Sequence, residues 1–384
     1  MKKLLSLALT LLLLLSLALP VFALDTVPES AISLSSPCAV LLEKSTGDVI
    51  YEKNARQRGA PASVTKVMTL LLIAEAVDGG LIAMDDMVTG SAKASSMGGS
   101  QVWLKEGEQL SVSDMIKCIA VVSANDCAVA MAEHIAGSEE AFVQKMNDRA
   151  AALGLEDTHF TNCTGLFDDP AHYTCAYDLA VMSRELILHD WIKTYTTIWM
   201  DSIRDGKSGL TNTNKLVRFY EGCTGLKTGF TSNAMYCLSA TALRDGVEYI
   251  AVVMHGESIE KRNEDAKALL SYGFANYALC PLRSGGALPP VAVELGAASC
   301  VQPVYEGAES LLLPKASARD ISYSLDLCEG VAAPVAAGDV LGKLSVSSGG
   351  SLIAEVNLVA GAEVPRLGLL GIFSRLLSLL VSSS

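Results

Sequence analysis

Pro61-Ala62-Ser63-Val64-Thr65-Lys66-Val67-Met68-Thr69-Leu70-Leu71-Leu72 is where the apolar pattern of this chain turns helical, running on through Ala76. Proline suits a helix start, and Lys66 follows Ser63 at i+3 on the same face. The amine can therefore reach the hydroxyl. A serine is a poor nucleophile until a base takes its proton, and a lysine with an ordinary pKa of about 10.4 is a poor base at neutral pH. Burial lowers that value, as does a second cation nearby. Val64, Val67, Met68 and Leu70 surround Lys66 in sequence, a setting in which an unpaired ammonium is costly. Taken alone, the pair reads better as a helix cap and a solvated lysine.

Two further strings follow in order, Ser123-Ala124-Asn125 and Lys227-Thr228-Gly229. From residue frequencies a chain of this size shows roughly one S-x-x-K and one S-x-N by chance, and K-T-G roughly once in ten such chains. Order and context give the set its weight. Ser123 and Asn125 fall where one apolar helix stops and the next begins, on a loop facing a cleft; the bland alternative is an N-cap. In the functional reading Ser123 passes a proton to a leaving amine and Asn125 holds a backbone amide of the substrate. Lys227-Thr228-Gly229 lies on a strand, where glycine admits a second backbone. An extended peptide laid along it would meet Lys227 and Thr228 at a terminal carboxylate. The N–H groups of Ser63 and Phe230 are candidates for an oxyanion hole, and Lys227 for the second cation near Lys66. A solvated edge lysine is the alternative.

Around these motifs the pattern predicts a hairpin, Ala39 to Glu43 and Asp48 to Lys53, turning at Ser45-Thr46-Gly47. Helices are expected over Val112 to Val121, Asn125 to Ile135 and Glu139 to Leu153, with Gly137 and Gly154 as terminators. Strand alternation takes over at Leu226 to Thr231, Tyr236 to Leu243 and Tyr249 to Met254, followed by a helix from Asn263 to Leu279. The fold class is α/β in the α+β sense, an antiparallel sheet with helices. Residues 24–283 form the expected main domain and 284–364 a small β-rich domain of Val, Ala, Gly and Pro. Residues 365–384 read as an amphipathic helix with a narrow stripe of Gly371, Ser374, Arg375, Ser378 and Ser382, suited to a membrane surface; packing on the protein body is the alternative.

Met1-Lys2-Lys3, the apolar run Leu4 to Leu19 and Pro20-Val21-Phe22-Ala23 match a secretory signal peptide over residues 1–23. The remaining chain carries 27 basic and 42 acidic residues, a net charge of −15, which disfavours nucleic acid as a partner and makes any cationic pocket conspicuous. The ten cysteines are scattered without a C-x-x-C, as expected of small buried residues rather than a disulfide framework. Cys118 and Cys127 would lie on opposite faces of a continuous helix, at ~100° per residue, and so could not bridge. No H-E-x-x-H or zinc-finger spacing occurs among the five histidines, so neither a metal nor another cofactor is expected.

With the three motifs in hand, the sequence resembles the low-molecular-mass penicillin-binding proteins, the serine D-alanyl-D-alanine carboxypeptidases of bacterial cell walls. The resemblance extends through Gly165-Leu166-Phe167-Asp168-Asp169-Pro170-Ala171-His172-Tyr173, Asn212-Thr213-Asn214-Lys215 and Leu226-Lys227-Thr228-Gly229-Phe230-Thr231. It implies a transpeptidase/β-lactamase-like domain with a helical subdomain, then the β-rich domain and the anchor, on the outer face of the cytoplasmic membrane. Its substrate would be the peptidoglycan stem peptide, with β-lactams as covalent inhibitors. Carried over, Ser63 is the acyl-ester nucleophile, Lys66 its base, Ser123 the relay, and Lys227 the carboxylate clamp, with Arg262, after the last sheet strand, as a second contact. Asn125, Thr228, Gly229 and Phe230 complete the substrate-binding set. Ala124 stands where glycine is usual, a methyl expected to narrow the cleft, and Cys163-Thr164 where Pro-His is more usual. A class A β-lactamase shares the nucleophile but needs an E-x-x-L-N element that Glu156 to Asn162 does not supply. A non-catalytic wall-binding scaffold is the alternative of another kind.

Overall fold

The computed structural model describes residues 26–282, 287–307, 310–368 and 371–373. The signal-peptide reading and most of the expected terminal helix lie outside the described residues. The chain divides into two compact units, Asp25–Tyr277 and the portion from Ala278 onward.

The first unit is built on a five-stranded antiparallel sheet. Strand β1 (Cys38–Glu43) turns through Ser45-Thr46-Gly47 into β2 (Val49–Lys53), as the sequence predicts. The other three strands are β3 (Cys223–Thr231), β4 (Met235–Arg244) and β5 (Val247–Gly256), in the order β2-β1-β5-β4-β3. Strand β1 is an interior strand and every one of its residues is buried, which is why it reads as a continuous apolar run rather than an alternation. Strand β3 is left as an edge.

Six helices of useful length accompany the sheet: α1 (Lys66–Asp78), α2 (Val112–Val122), α3 (Asn125–Ala136), α4 (Glu139–Ala152), α5 (Ala176–Leu188) and α6 (Ile259–Asn276). The two sheet faces have different owners. Ser239 of β4 bonds Ser183 of α5 and pairs in register with Val252, so α5 covers the face of Ile250, Val252 and Met254. Tyr249 points the other way and meets Phe274 of α6 edge-on at 4.9 Å. On the α5 side lies the large core, and α1 runs through it with Val67, Met68, Leu70, Leu71, Ile73 and Ala74 all fully buried. A helix apolar all round is a buried helix. That is what places Lys66, its first residue, in the interior.

Three features depart from expectation. Helix α5 has no start signal in sequence because its N-cap is Cys175, whose sulfur accepts from the Asp178 N–H at 3.4 Å in place of the usual Ser, Thr, Asp or Asn. Helix α6 begins four residues earlier than Asn263, because the Ser258 hydroxyl caps the Lys261 N–H at 3.2 Å. Arg262 therefore sits in its first turn. Cys118 and Cys127 do not sit on one continuous helix: the chain breaks at Ser123, which ends α2 in the left-handed region at φ 64°. The break folds α3 back on α2 and brings the two thiols into hydrogen-bonding contact, which with burial raises Cys127 well above the usual thiol range. All ten cysteines are free and seven are buried, as small core residues should be.

The second unit is β-rich. A four-stranded antiparallel sheet joins Pro303–Tyr305, Ser351–Ala360, Val340–Ser348 and Ile321–Leu327, and a three-stranded sheet joins Cys300–Val301, Val291–Glu294 and Gly330–Ala332. Leu344, Val346, Ala354, Val356 and Leu358 form the core of the larger sheet. Among the described residues no helix is long and apolar enough to cross a membrane.

Candidate active site

Ser63 stands in a single 3-10 turn, Ala62–Thr65, that feeds directly into α1. The Lys66 amine donates to Ser63 Oγ at 3.1 Å and to the Thr164 carbonyl at 2.8 Å, and its side chain is 0% exposed. Neither the capping nor the solvated-lysine alternative survives. Burial lowers Lys66 to about 7, with the thiol of Cys163 and the carboxylate of Asp126 opposing the shift. Lys227 stands close enough for the two cations to repel each other, and burial, then Lys66, then Arg262 push it well below the ordinary lysine range.

Lys227 is also fully buried, with its amine on the Thr228 carbonyl at 2.8 Å, so it is no solvated edge residue. The Thr228 hydroxyl donates to Thr213 Oγ1 at 2.8 Å. Gly229 lies against the serine turn: a Cβ there would come within 2.9 Å of the Pro61 carbonyl and 3.1 Å of the Ser63 nitrogen. Here the glycine is needed for close approach of the protein's own turn. Phe230 is half exposed and its ring lies 4.4 Å from that of Tyr236. Arg262 is 4% exposed, donates to the Cys237 carbonyl and Asn263 Oδ1, and is brought down to about 10 by burial.

Across the cleft, Ser123 and Asn125 flank the helix break. The N-cap of α3 is Ala124, with no side-chain cap bond, so the capping alternative fails here too. Ser123 Oγ is buried without a hydrogen-bond partner, as is Asn125 Oδ1, while Asn125 Nδ2 holds the Gly98 carbonyl at 2.8 Å. Buried polar groups left unsatisfied are uncommon, and Ser123 Oγ on the cavity wall, with Asn125 Oδ1 close behind it, marks a place where a ligand completes the bonding. The methyl of Ala124 does not narrow the cleft as expected; it is buried in the core cluster.

Ser63, Ser123, Thr228, Gly229, Phe230 and Arg262 all line one cavity of about 390 Å³. Lys66, Lys227 and Asn125 stand behind it. Sequence reasoning missed Ser100, Thr213, Lys215, Tyr236 and Ile259, which also line it. Thr213 and Lys215 had been noticed only as part of a family string. The described lining residues include two cations and no carboxylate, which reverses the field of an acidic protein at this one place.

A further set was missed because it acts from behind. His172 is buried, receives the Thr161 N–H on Nδ1 at 3.0 Å and contacts Thr65 Oγ1 through Nε2 at 2.8 Å. Thr65 spends its own proton on the Ala62 carbonyl at 2.8 Å, so this network assigns the ring as neutral with its proton on Nε2. Burial lowers its pKa to about 4, which keeps it neutral. Asn162 Oδ1 gathers the N–H groups of Thr164 and Gly165 at 3.1 and 2.7 Å, aiming the Thr164 carbonyl at Lys66. Cys163 and Thr164 contribute carbonyls, to Thr69 at 2.6 Å and to Lys66, so the departure from Pro-His leaves these contacts intact. Among the described residues no group of three or more His, Cys, Asp or Glu is placed to hold a metal ion.

An antiparallel sheet with helices on both faces, carrying a serine paired to a buried lysine at its edge strand, defines a serine peptidase of the penicillin-binding type. Residues 25–258 match the family described as D-alanyl-D-alanine carboxypeptidase, and residues 284–366 match the penicillin-binding protein 5 C-terminal domain. The D-alanyl-D-alanine carboxypeptidase DacF of Bacillus subtilis is 40% identical over 381 residues, spanning 98% of each chain. Penicillin binding protein 5 from Haemophilus influenzae superposes with a TM-score of 0.76 at 30% identity, covering 89% of this chain and all of that one. Penicillin-binding protein D2 from Listeria monocytogenes, solved in an ampicillin-bound form, matches 63% of this chain and 98% of its own at 31% identity, with a TM-score of 0.58. The chain belongs to the D-alanyl-D-alanine carboxypeptidase family.

Proposed function

We propose that this enzyme removes the terminal D-alanine from peptidoglycan stem pentapeptides through an acyl-enzyme on Ser63. The observation that carries the reading is the Lys66 amine, fully buried, lowered to about 7, and 3.1 Å from Ser63 Oγ. Near neutral pH much of it is the free amine, a base matched to its task.

In this reading Lys66 takes the Ser63 proton as Oγ bonds to the penultimate carbonyl carbon. The Ser63 and Phe230 N–H groups receive the developing oxyanion. Ser123 passes the proton to the departing nitrogen as the C–N bond breaks and D-alanine leaves. Water then attacks the ester, releasing the shortened peptide and returning the proton to Ser63. Lys227, Thr228 and Arg262 take the terminal carboxylate, and Asn125 holds a backbone amide along the path of β3. Arrival of that carboxylate favours the Lys227 ammonium, because an opposite charge at short range stabilises the ionised form. Acylation then proceeds with the clamp charged and the base neutral.

Penicillin acylates the same serine, and the described lining residues hold no carboxylate of the kind a class A β-lactamase uses to turn over its acyl-enzyme. Residues 24–283 act as the catalytic domain, residues 284–364 as the β-rich domain, and 365–384 as an interfacial helix on the outer face of the cytoplasmic membrane after removal of 1–23. The amphipathic spacing of residues 366–381 supports the anchor.

Incubation with a D-alanyl-D-alanine pentapeptide, and separately with fluorescent penicillin, tests the assignment. Release of D-alanine with persistent label is expected. Rapid loss of label would make the protein a β-lactamase, and absence of both label and D-alanine would make it a scaffold.

A further inference from the structure

Trp103 is 74% exposed and holds a left-handed backbone at φ 60°, a conformation that a bulky residue adopts only when its surroundings impose it. The surroundings are specific. Asp126, fully buried and adjacent to Asn125, accepts the N–H groups of Val102 at 3.0 Å and Leu104 at 2.9 Å, one on each side of the tryptophan. Arg204 holds the Val102 carbonyl at 2.9 Å and is itself fixed by Glu108 at 2.6 Å. Val102 and Leu104 are buried, so the strained turn pushes only the indole into solvent.

The indole borders a cavity of about 600 Å³ whose charged rim is Lys105, Glu106, Glu108 and Arg204. Two cations and two carboxylates leave that rim without net charge. An aromatic face inside a neutral ring of hydrogen-bonding groups suits a pyranose: its C–H groups pack on the negative face of the ring, and its hydroxyls and amide find donors and acceptors at the edge. A charged peptide would find no net field here, and one exposed aromatic is too small for a protein interface.

This cavity adjoins the catalytic one along the chain. Ser100 lines the catalytic cavity and its carbonyl accepts the Asn125 N–H at 2.7 Å. Trp103 lies three positions further along the chain, a span of at most about 11 Å, whereas a four-residue stem reaches about 14 Å when extended. We infer that Trp103 and its charged rim form a sugar subsite, binding an N-acetylhexosamine ring of the glycan strand that carries the stem peptide. The inference rests on the proposed substrate, and it adds a second point of attachment to it.

The test compares D-alanine release from free pentapeptide and from disaccharide-pentapeptide. The native enzyme is expected to show a KM about five-fold lower for the disaccharide form. In W103A that difference disappears, with kcat on both substrates and KM on free pentapeptide unchanged; W103Y, which keeps an aromatic face, retains most of it. The disaccharide without peptide should quench native tryptophan fluorescence and leave W103A unaffected. Equal KM values in the native enzyme would overturn the subsite, as would equal losses on both substrates in W103A and W103Y. Failure to release D-alanine from either substrate would instead sink the proposed reaction.

Discussion

The two walls of the catalytic cleft are built on opposite principles. On the sheet wall every motif side chain has its bond: Lys227 on the Thr228 carbonyl, Thr228 on Thr213, and Gly229 pressed against the serine turn. On the helical wall Ser123 Oγ and Asn125 Oδ1 are buried with no partner. One wall is finished before substrate arrives and the other is completed by it. Buried polar groups without partners cost stability. Here that cost is confined to groups whose proposed partners are the substrate's amide and leaving nitrogen.

The comparison can be broken most severely at the sheet wall. Gly229→Val would drive a branched side chain into the Pro61 carbonyl and the Ser63 nitrogen, separating strand from turn. A misplacement of about 1 Å costs on the order of a hundred-fold, so at least that loss in penicillin acylation rate is expected. Lys66→Ala removes the base, and kcat for D-alanine release should fall roughly 10³-fold, within the range for general-base groups. Retention of near-native acylation by this variant would remove Lys66 from the mechanism.

The helical wall should respond with opposite signs in activity and stability. Ser123→Ala takes away the relay, lowering kcat about 10²-fold, yet it also deletes an unsatisfied buried hydroxyl. Thermal unfolding should therefore show a variant as stable as the native enzyme or more so, by up to about 1 kcal/mol. A clear destabilisation would mean that Ser123 has a structural partner.

A separate effect is expected on the pH dependence of stability. Lys66 has a folded pKa of about 7, below its unfolded value near 10.5, so the unfolded chain binds the extra proton between those two pH values. Through that group, stability rises with pH across this window and is lowest below pH 7. Lys66→Met should flatten that part of the stability profile.

Much of this was legible in the sequence. Ser63 and Lys66 share a helix turn, Ser123 and Asn125 a helix break, and Lys227 to Phe230 a strand, so each motif is local and its spacing carries its geometry. What the sequence did not show comes from distance. The Thr164 carbonyl reaches Lys66 across 98 positions, and His172 reaches Thr65 across 107. Asp126 was passed over because its work is done on the backbone of residues 102 and 104, where the side chains give no sign of it. The proximity of Cys118 and Cys127 was misjudged for a related reason. The helix break expected at Ser123 was not carried through to the two thiols, and it changed what would be opposite faces of one helix into neighbours. The burial of Lys227 was equally hidden: the sequence offered it as a second cation near Lys66, with a solvated edge lysine as the alternative, and only the fold shows that its side chain is fully buried.

The central claim is that burial makes Lys66 the base for Ser63. Intact-mass measurement of penicillin acylation from about pH 5 to about pH 9, with the adduct mapped by peptide digestion, tests it most directly. The adduct is expected on Ser63, with a rate that climbs through a midpoint of about 7, where the neutral amine appears. A rate indifferent to pH across that range, or an adduct on any other residue, would contradict it.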